Sequence, residues 1–108
     1  MCLLITGPSQ SIRATLLQTP HLLENIYASN GDGIGAMYPS TSGLKTPKAL
    51  PKTVQQARTF IQSLPQDTRN LALHWRMRTH GAINKANCHP YTVVPGRLEM
   101  MHNGVLHT

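Results

Sequence analysis

The chain has 108 residues, of which 40% are hydrophobic, and 10 Lys and Arg against 4 Asp and Glu give it a formal net charge of +6. This length fits one domain or part of one, and no apolar run approaches the roughly 20 residues of a membrane-spanning helix. The basic residues are scattered without a dense run and aromatic residues are few, so we expect neither a nucleic-acid nor a membrane partner. Two cysteines and no signal-peptide pattern predict a cytoplasmic protein.

The first predicted elements are a strand and a helix. Residues 2–6 form a short apolar run closed by Gly7 and Pro8, which predicts a buried strand. Ser9 or Ser11 is a predicted cap for a helix whose apolar side begins at Ile12.

A second helix is predicted to start at Thr19-Pro20, with proline at its first position. The glycine-rich stretch 30–35 then predicts a turn that leads into a strand over 36–38. Residues 39–52 are rich in Pro, Ser, Thr and Lys and predict a hairpin tip with weak edge strands.

The second half carries the clearest patterns. Thr53 and Gln56 form a capping-box pattern, and the apolar stripe that follows predicts a helix ending at Pro65. Residues 71–78 alternate between apolar and polar positions, as a strand does, and residues 91–94 and 97–102 predict a β-hairpin. The order of strands and helices indicates an α+β fold.

Cys2 is the first candidate for chemistry. Removal of Met1 would leave Cys2 with both a thiol and a free α-amine, so the nucleophile would carry its own base. A model α-amine has a pKa of roughly 7.7–8.0, which leaves much of it unprotonated near neutral pH. Alone, Cys2 also fits a small apolar residue at the start of a buried strand.

Two further patterns have a structural and a chemical interpretation. Strand parity places His74, Arg76 and Arg78 on one face, where an Arg could bind a carboxylate through two hydrogen bonds or simply face solvent. Asn103-Gly104 could stabilise an oxyanion or form a tight turn.

The cysteine and histidine spacing predicts no metal site, because Cys88 and His89 are adjacent and no second Cys pair exists. Gly31-x-Gly33-x-Gly35 lacks the strand and helix context of a phosphate-binding loop. We therefore expect no cofactor.

Taken together, these motifs resemble the glutaminase domain of class II glutamine amidotransferases, which are N-terminal-nucleophile hydrolases. The shared pieces, in order, are Met-Cys at 1–2, Asn-Gly-Asp-Gly at 30–33, His-x-Arg-x-x-Thr-His-Gly at 74–81, Asn-x-His-Pro at 87–90 and His-Asn-Gly at 102–104. They extend over nearly the whole chain. The motif sequences are more similar to those of the small stand-alone or phage-type members than to those of the large sugar-phosphate or purine enzymes. The resemblance implies that residues 1–108 are the amino-terminal portion of a glutaminase domain.

The resemblance also implies a role for each matching residue. Cys2 would be the nucleophile, with Asn103 and Gly104 forming the oxyanion hole. Arg76 would bind the α-carboxylate of glutamine. The implied surroundings of these residues are Thr79 and His80 in the substrate pocket, Gly31, Asp32 and Gly33 in the turn beside the nucleophile, and His89 in the supporting loop.

The implied reaction is hydrolysis of the glutamine side-chain amide through a Cys2 thioester, giving glutamate and ammonia. Glutamine would be the substrate, and an acceptor domain or partner chain would receive the ammonia.

The chain departs from the family in two ways: it stops at Thr108, before the Asp that holds the substrate amine, and Trp75 precedes Arg76 rather than following it. The first departure implies an α-β-β-α sandwich that is incomplete at its carboxyl end. Two alternatives stay open, an N-terminal-nucleophile amidase acting on another amide and a catalytically inactive binding or regulatory domain of the same fold.

Overall fold

The computed structural model describes residues 2–77, 83, 85, 88–94 and 98–101. Within these residues the elements are β1 Leu3–Gly7, α1 Ser9–Gln18, α2 Leu22–Asn30, β2 Ile34–Ser40, β3 Gly43–Lys45, β4 Lys48–Ala49, α3 Val54–Gln62, β5 Leu71–Trp75, β6 Tyr91–Val94 and β7 Leu98–Met100. The predicted α+β class is confirmed, with three helices and a main antiparallel sheet among the described residues.

The main sheet has β5 at its centre, between β1 and β2. β1 pairs with β5 so that Leu3 lies opposite Trp75, and β2 pairs with β5 so that Ile34 lies opposite the same residue. β4 pairs with the first residues of β2, and β3 with its last residues. β6 and β7 form a separate antiparallel hairpin, as the sequence predicts.

One face of the main sheet forms the hydrophobic core with the three helices. Leu73, Trp75 and Ile34 on this face are fully buried because the helices cover them. The helices contribute Ile12 and Leu16 from α1, Leu23 and Ile26 from α2, and Ala57 and Ile61 from α3. Burial of this apolar surface is the main force that holds the helices on the sheet.

Helices α1 and α3 are also tied to each other by arginine side chains. The Arg13 guanidinium donates to the carbonyls of Ile61 and Gln62 at the end of α3, at 3.3 and 2.9 Å. Arg58 donates to the Leu17 carbonyl near the end of α1 at 3.4 Å. Each arginine thus bonds to backbone carbonyls near the carboxyl end of the other helix, where acceptors remain available.

The predicted helix starts were partly wrong. α1 has Pro8 at its N-cap, and the Ser9 hydroxyl donates to the Pro65 carbonyl instead of capping the helix. α2 begins at Leu22, after His21 in a left-handed conformation, rather than at Thr19-Pro20. The Ser9 hydroxyl is bonded to Pro65, and Thr19 and Pro20 lie in the turn before the left-handed His21, so neither site caps its helix.

The capping box of α3 is confirmed. Thr53 Oγ1 accepts a hydrogen bond from the Gln56 amide at 3.1 Å, and Gln56 Oε1 accepts one from the Lys52 amide at 2.7 Å. The first strand forms close to its predicted position, but no residue in it is fully buried: Leu3 and Ile5 are partly buried against the helices, and Leu4 is 41% exposed. β1 lies at the edge of the sheet and pairs only with β5 among the described residues.

Candidate functional site at one end of the main sheet

Three chain segments that carry predicted site residues meet at one end of the main sheet. Cys2 comes directly before β1, Asp32 comes shortly before β2, and Arg76 comes directly after β5. Because β1 and β2 both run antiparallel to β5, their amino ends lie beside the carboxyl end of β5. The topology therefore brings together residues from widely separated parts of the sequence.

Backbone hydrogen bonds fix Arg76 against the turn before β2. The Arg76 amide donates to the Gly33 carbonyl at 2.8 Å, and the Asp32 amide donates to the Arg76 carbonyl at 2.9 Å. These two bonds extend the pairing of β2 with β5 beyond the ends of both strands. The backbone of Arg76 is thereby held through both its amide and its carbonyl, and the residue is 6% exposed.

Cys2 lies beside the same strand end. Its thiol is half-buried and donates a weak hydrogen bond to the Met77 carbonyl, with Sγ 3.8 Å from the oxygen. Leu3 and Trp75 are paired and face the helices, so strand alternation places Cys2 and Arg76 on the opposite side of the sheet. The sulfur is thus next to the residue that follows Arg76.

Residues Cys88, His89 and Pro90 cover the part of the opposite face that carries His74, Gly33 and Gly35. The His89 ring stacks on the His74 ring with centroids 3.7 Å apart and planes 13° apart, and both residues are buried. Gly35 pairs with His74 across the sheet, and a Cβ on Gly35 would overlap the His89 carbonyl. The segment 88–90 therefore lies directly on the backbone of β2.

Gly33 makes room for the second cysteine in the same way. It has a φ of 146°, a conformation that favours glycine, and a Cβ at this position would lie 2.5 Å from the Cys88 sulfur. Sequence reasoning assigned the spaced glycines to a turn and missed this packing. Glycines at alternate positions of a strand are a signal for close backbone approach, which is what the structure has.

Positive charge surrounds the Cys88 thiol. Burial raises the pKa of the Cys88 thiol above its ordinary value, while the charges of Arg76, Lys48 and Lys85 act in the opposite direction. Burial is the larger effect, so Cys88 is a protonated thiol near neutral pH. His74 and Arg76, which the strand pattern placed on a polar face, are therefore buried, and Arg76 is one of the positive charges near the Cys88 thiol.

The remaining predicted site residues, Thr79, His80, Asn103 and Gly104, lie outside the described residues, as does Arg78. The predicted oxyanion hole and the predicted pocket lining therefore stay predictions. Gly31 and Asp32 lie in the turn between α2 and β2, as expected from the glycine-rich sequence.

A cavity of about 550 Å³ lies elsewhere on the sheet, where Thr6, Met37 and Ala72 are among its lining residues. It contains none of the predicted site residues. Within the described residues, no three His, Cys, Asp or Glu side chains are grouped as metal ligands would be. Across that same part of the chain, every helix is too short or too polar to cross a membrane.

Two curated proteins show significant sequence similarity, both glutamine–fructose-6-phosphate aminotransferases (isomerizing) from two strains of Thermus thermophilus. Each is 32% identical over 74 residues, which is 68% of this chain and 12% of the relative. No protein-family profile and no solved structure matches the chain significantly. The similarity supports a distant link to the class II glutamine amidotransferases.

Proposed function

We propose that this chain carries out the glutaminase half-reaction of a class II glutamine amidotransferase. Glutamine is the substrate, Cys2 is the nucleophile, and the products are glutamate and ammonia. The observation that carries the proposal is the placement of Cys2 beside the strand end that holds Arg76. The distant similarity to two glutamine-dependent aminotransferases supports the same assignment.

The first step in the proposal is attack by the Cys2 sulfur on the side-chain carbonyl carbon of glutamine. Once Met1 is removed, the α-amine of Cys2 takes the thiol proton, and the carbonyl becomes an oxyanion. Collapse of this intermediate breaks the carbon–nitrogen bond, the proton passes to the leaving nitrogen, and ammonia departs. Water then attacks the γ-glutamyl thioester, which releases glutamate and restores the thiol.

Arg76 would bind the α-carboxylate of glutamine in this scheme. Its backbone is fixed by two hydrogen bonds to residues 32 and 33, so its side chain starts from a defined position. A guanidinium can bind a carboxylate through two parallel hydrogen bonds, which fixes orientation as well as charge. Arg76 would thereby place the side-chain amide of glutamine toward Cys2.

The other roles follow the family resemblance. Asn103 would donate through its side chain and Gly104 through its main chain to the oxyanion, and Thr79 and His80 would line the pocket. Gly31 and Asp32 would shape the turn beside the nucleophile. His89 would support the loop that contains it, through its stacking contact with His74.

The fold in this proposal is an α-β-β-α sandwich, with residues 1–108 as the amino-terminal portion of the glutaminase domain. The sheet face that carries His74 would pack on a second sheet that includes β6 and β7. Leu4 on β1 lies opposite His74 on β5 and is exposed. This supports the arrangement, because a second sheet would cover the apolar surface of Leu4. The ammonia would pass to an acceptor domain or partner chain, in the cytoplasm, where the reduced thiols Cys2 and Cys88 are expected to persist.

The test is glutamate release from glutamine by the wild-type chain and by Cys2→Ala. We expect Cys2→Ala to lose activity by about 10⁴-fold or more, because removal of a nucleophile removes the covalent route. Thr6→Ala is the matched control, since Thr6 is an exposed residue on the same face of β1, away from the site. Equal glutamate release by wild type and Cys2→Ala would contradict the mechanism.

Arg76→Lys tests the substrate assignment. Lysine keeps the charge but loses the planar fork, so we expect the KM for glutamine to rise by about tenfold or more. Unchanged glutamine kinetics in Arg76→Lys would favour an amidase that acts on another amide. Release of glutamate by neither wild type nor any variant would favour a non-catalytic domain.

A further inference from the structure

Cys88 occupies a position that the proposed reaction does not use. Its side chain is 1% exposed, so it is a buried thiol next to the site. The sulfur lies against Gly33, where a Cβ would come within 2.5 Å of it. The Leu50 side chain and the Ala49 carbonyl lie 3.5 and 3.9 Å from the same Cβ position, so the sulfur fills the tightest side of this space.

Gly33 is also the residue that binds the backbone of Arg76. Its carbonyl accepts the Arg76 amide hydrogen bond at 2.8 Å, and its neighbour Asp32 donates to the Arg76 carbonyl at 2.9 Å. A shift of Gly33 would therefore move both the Gly33 carbonyl and the adjacent Asp32 amide, which are the hydrogen-bond partners of the Arg76 backbone. The contact between Cys88 and Gly33 thus bears on where Arg76 is placed.

Cys88 is itself held in place from two sides. Its amide donates to the Lys85 carbonyl at 3.1 Å, and the next residue, His89, stacks on His74. The His89 carbonyl lies against Gly35, which is on β2 and follows Gly33 by two residues. The sulfur is therefore presented to Gly33 by a segment that is fixed on the sheet.

The protonation state of Cys88 fits a packing role. Burial raises the pKa of the Cys88 thiol, despite the neighbouring charges of Arg76, Lys48 and Lys85. A neutral buried thiol behaves as a small hydrophobic group rather than as a nucleophile. Cys88 and Cys2 therefore differ in what their sulfur atoms can do.

We propose that Cys88 is a positioning residue for Arg76, acting through its contact with Gly33. The sulfur holds Gly33 where its carbonyl and the Asp32 amide fix the backbone of Arg76. This inference rests on the proposed function for its effect on glutamine, but the contact itself can be tested without any activity.

The direct test is amide hydrogen exchange by NMR in the wild-type chain and in Cys88→Ala. The variant removes the sulfur and leaves space beside Gly33, so we expect exchange at Asp32 and Arg76 to become about tenfold faster through local opening. The Ser9 and Ala36 amides, which donate to the Thr68 and Pro47 carbonyls, are internal references and should keep their rates. Equal acceleration at all four amides, or at none, would overturn the inference.

Cys88→Ser covers the case in which Cys88→Ala does not fold. It keeps an atom in the place of the sulfur. The amides of Asp32 and Arg76 should therefore exchange faster than in wild type, but by less than the roughly tenfold change expected when the position is empty. If Cys88→Ser accelerates exchange over wild type more at Ser9 and Ala36 than at Asp32 and Arg76, a role at Gly33 is contradicted.

Glutamine kinetics supply the second readout. In Cys88→Ala we expect the KM for glutamine to rise about tenfold with kcat nearly unchanged, because a substrate clamp is loosened while the nucleophile is intact. A fall in kcat with unchanged KM would overturn the inference. Local exchange changes in a chain whose wild type releases no glutamate would uphold the contact while removing the proposed function.

Discussion

The sheet face that carries Leu73 and Trp75 packs against three helices, whereas residues 88–90 cover the opposite face only around His74 and Gly35. The first face is held by large apolar side chains, so its stability depends on volume that is present. The second face depends on Gly33 and Gly35 having no side chain, because the Cys88 sulfur and the His89 backbone occupy the space that a Cβ would need. The helix-facing side should therefore be most sensitive to lost volume, and the opposite face should be sensitive to volume added at its glycines.

The largest expected effect is on the helix-facing side. Leu73 is fully buried, and Leu73→Ala should lower the free energy of unfolding by about 2–5 kcal/mol because it leaves a cavity. Urea denaturation followed by circular dichroism would measure the change.

Leu4→Ala is the matched control on the neighbouring strand, since Leu4 is 41% exposed on the other face. We expect this variant to change stability by less than about 1 kcal/mol. Equal losses for the two leucines would remove the distinction between the faces.

The next effect concerns added volume at Gly33. Gly33→Ala must adopt a φ near 146° and meets the Cys88 sulfur, whereas Gly7→Ala has a similar φ of 152° but only ordinary contact, 3.9 Å from Ile12. Gly7→Ala therefore measures the conformational cost alone, about 1–3 kcal/mol. Gly33→Ala should lose about 1 kcal/mol more, because it overpacks the site. The measurement is the same urea denaturation.

The double variant Gly33→Ala with Cys88→Ala sharpens this result. Removing the sulfur opens the space that the new methyl group needs, so the double variant should lose less stability than the sum of the two single variants. Simple additivity would mean that the two residues do not contact each other energetically.

The smallest effect is a pH dependence from Cys88. Its thiol has a raised pKa in the folded chain, so above the ordinary thiol pKa of about 8.5 the unfolded chain binds fewer protons than the folded chain. Stability from this group is therefore complete below that pH and declines as pH rises toward the higher folded-state pKa. Urea midpoints measured from pH 7 to pH 10 should fall more steeply for wild type than for Cys88→Ala, and parallel curves would contradict the assigned direction.

The sequence predicted the elements whose signals are local. The capping box of Thr53 and Gln56 marked the start of α3, and the alternation after Leu71 marked β5, although β5 ends at Trp75 rather than at residue 78. The apolar face of β5 is the core face because helices cover it. These features follow from residue spacing alone.

The covered polar face was less predictable, because its contacts join residues far apart in the chain. Nothing near Gly33 or Gly35 indicates that Cys88 and His89 lie against them, and nothing near His74 indicates a stacked ring. The exposure of Leu4 follows from the edge position of β1, which depends on strand order. The meeting of Cys2 and Arg76 was expected from the family resemblance rather than from spacing.

The most direct test of the account is the site of modification by an electrophilic glutamine analogue, read by mass spectrometry of the intact chain and its fragments. We expect one adduct, on Cys2, in a chain that has lost Met1, and we expect excess glutamine to prevent it. An adduct on Cys88 instead, or a retained Met1 with no adduct, would contradict the assignment of Cys2 as an amino-terminal nucleophile.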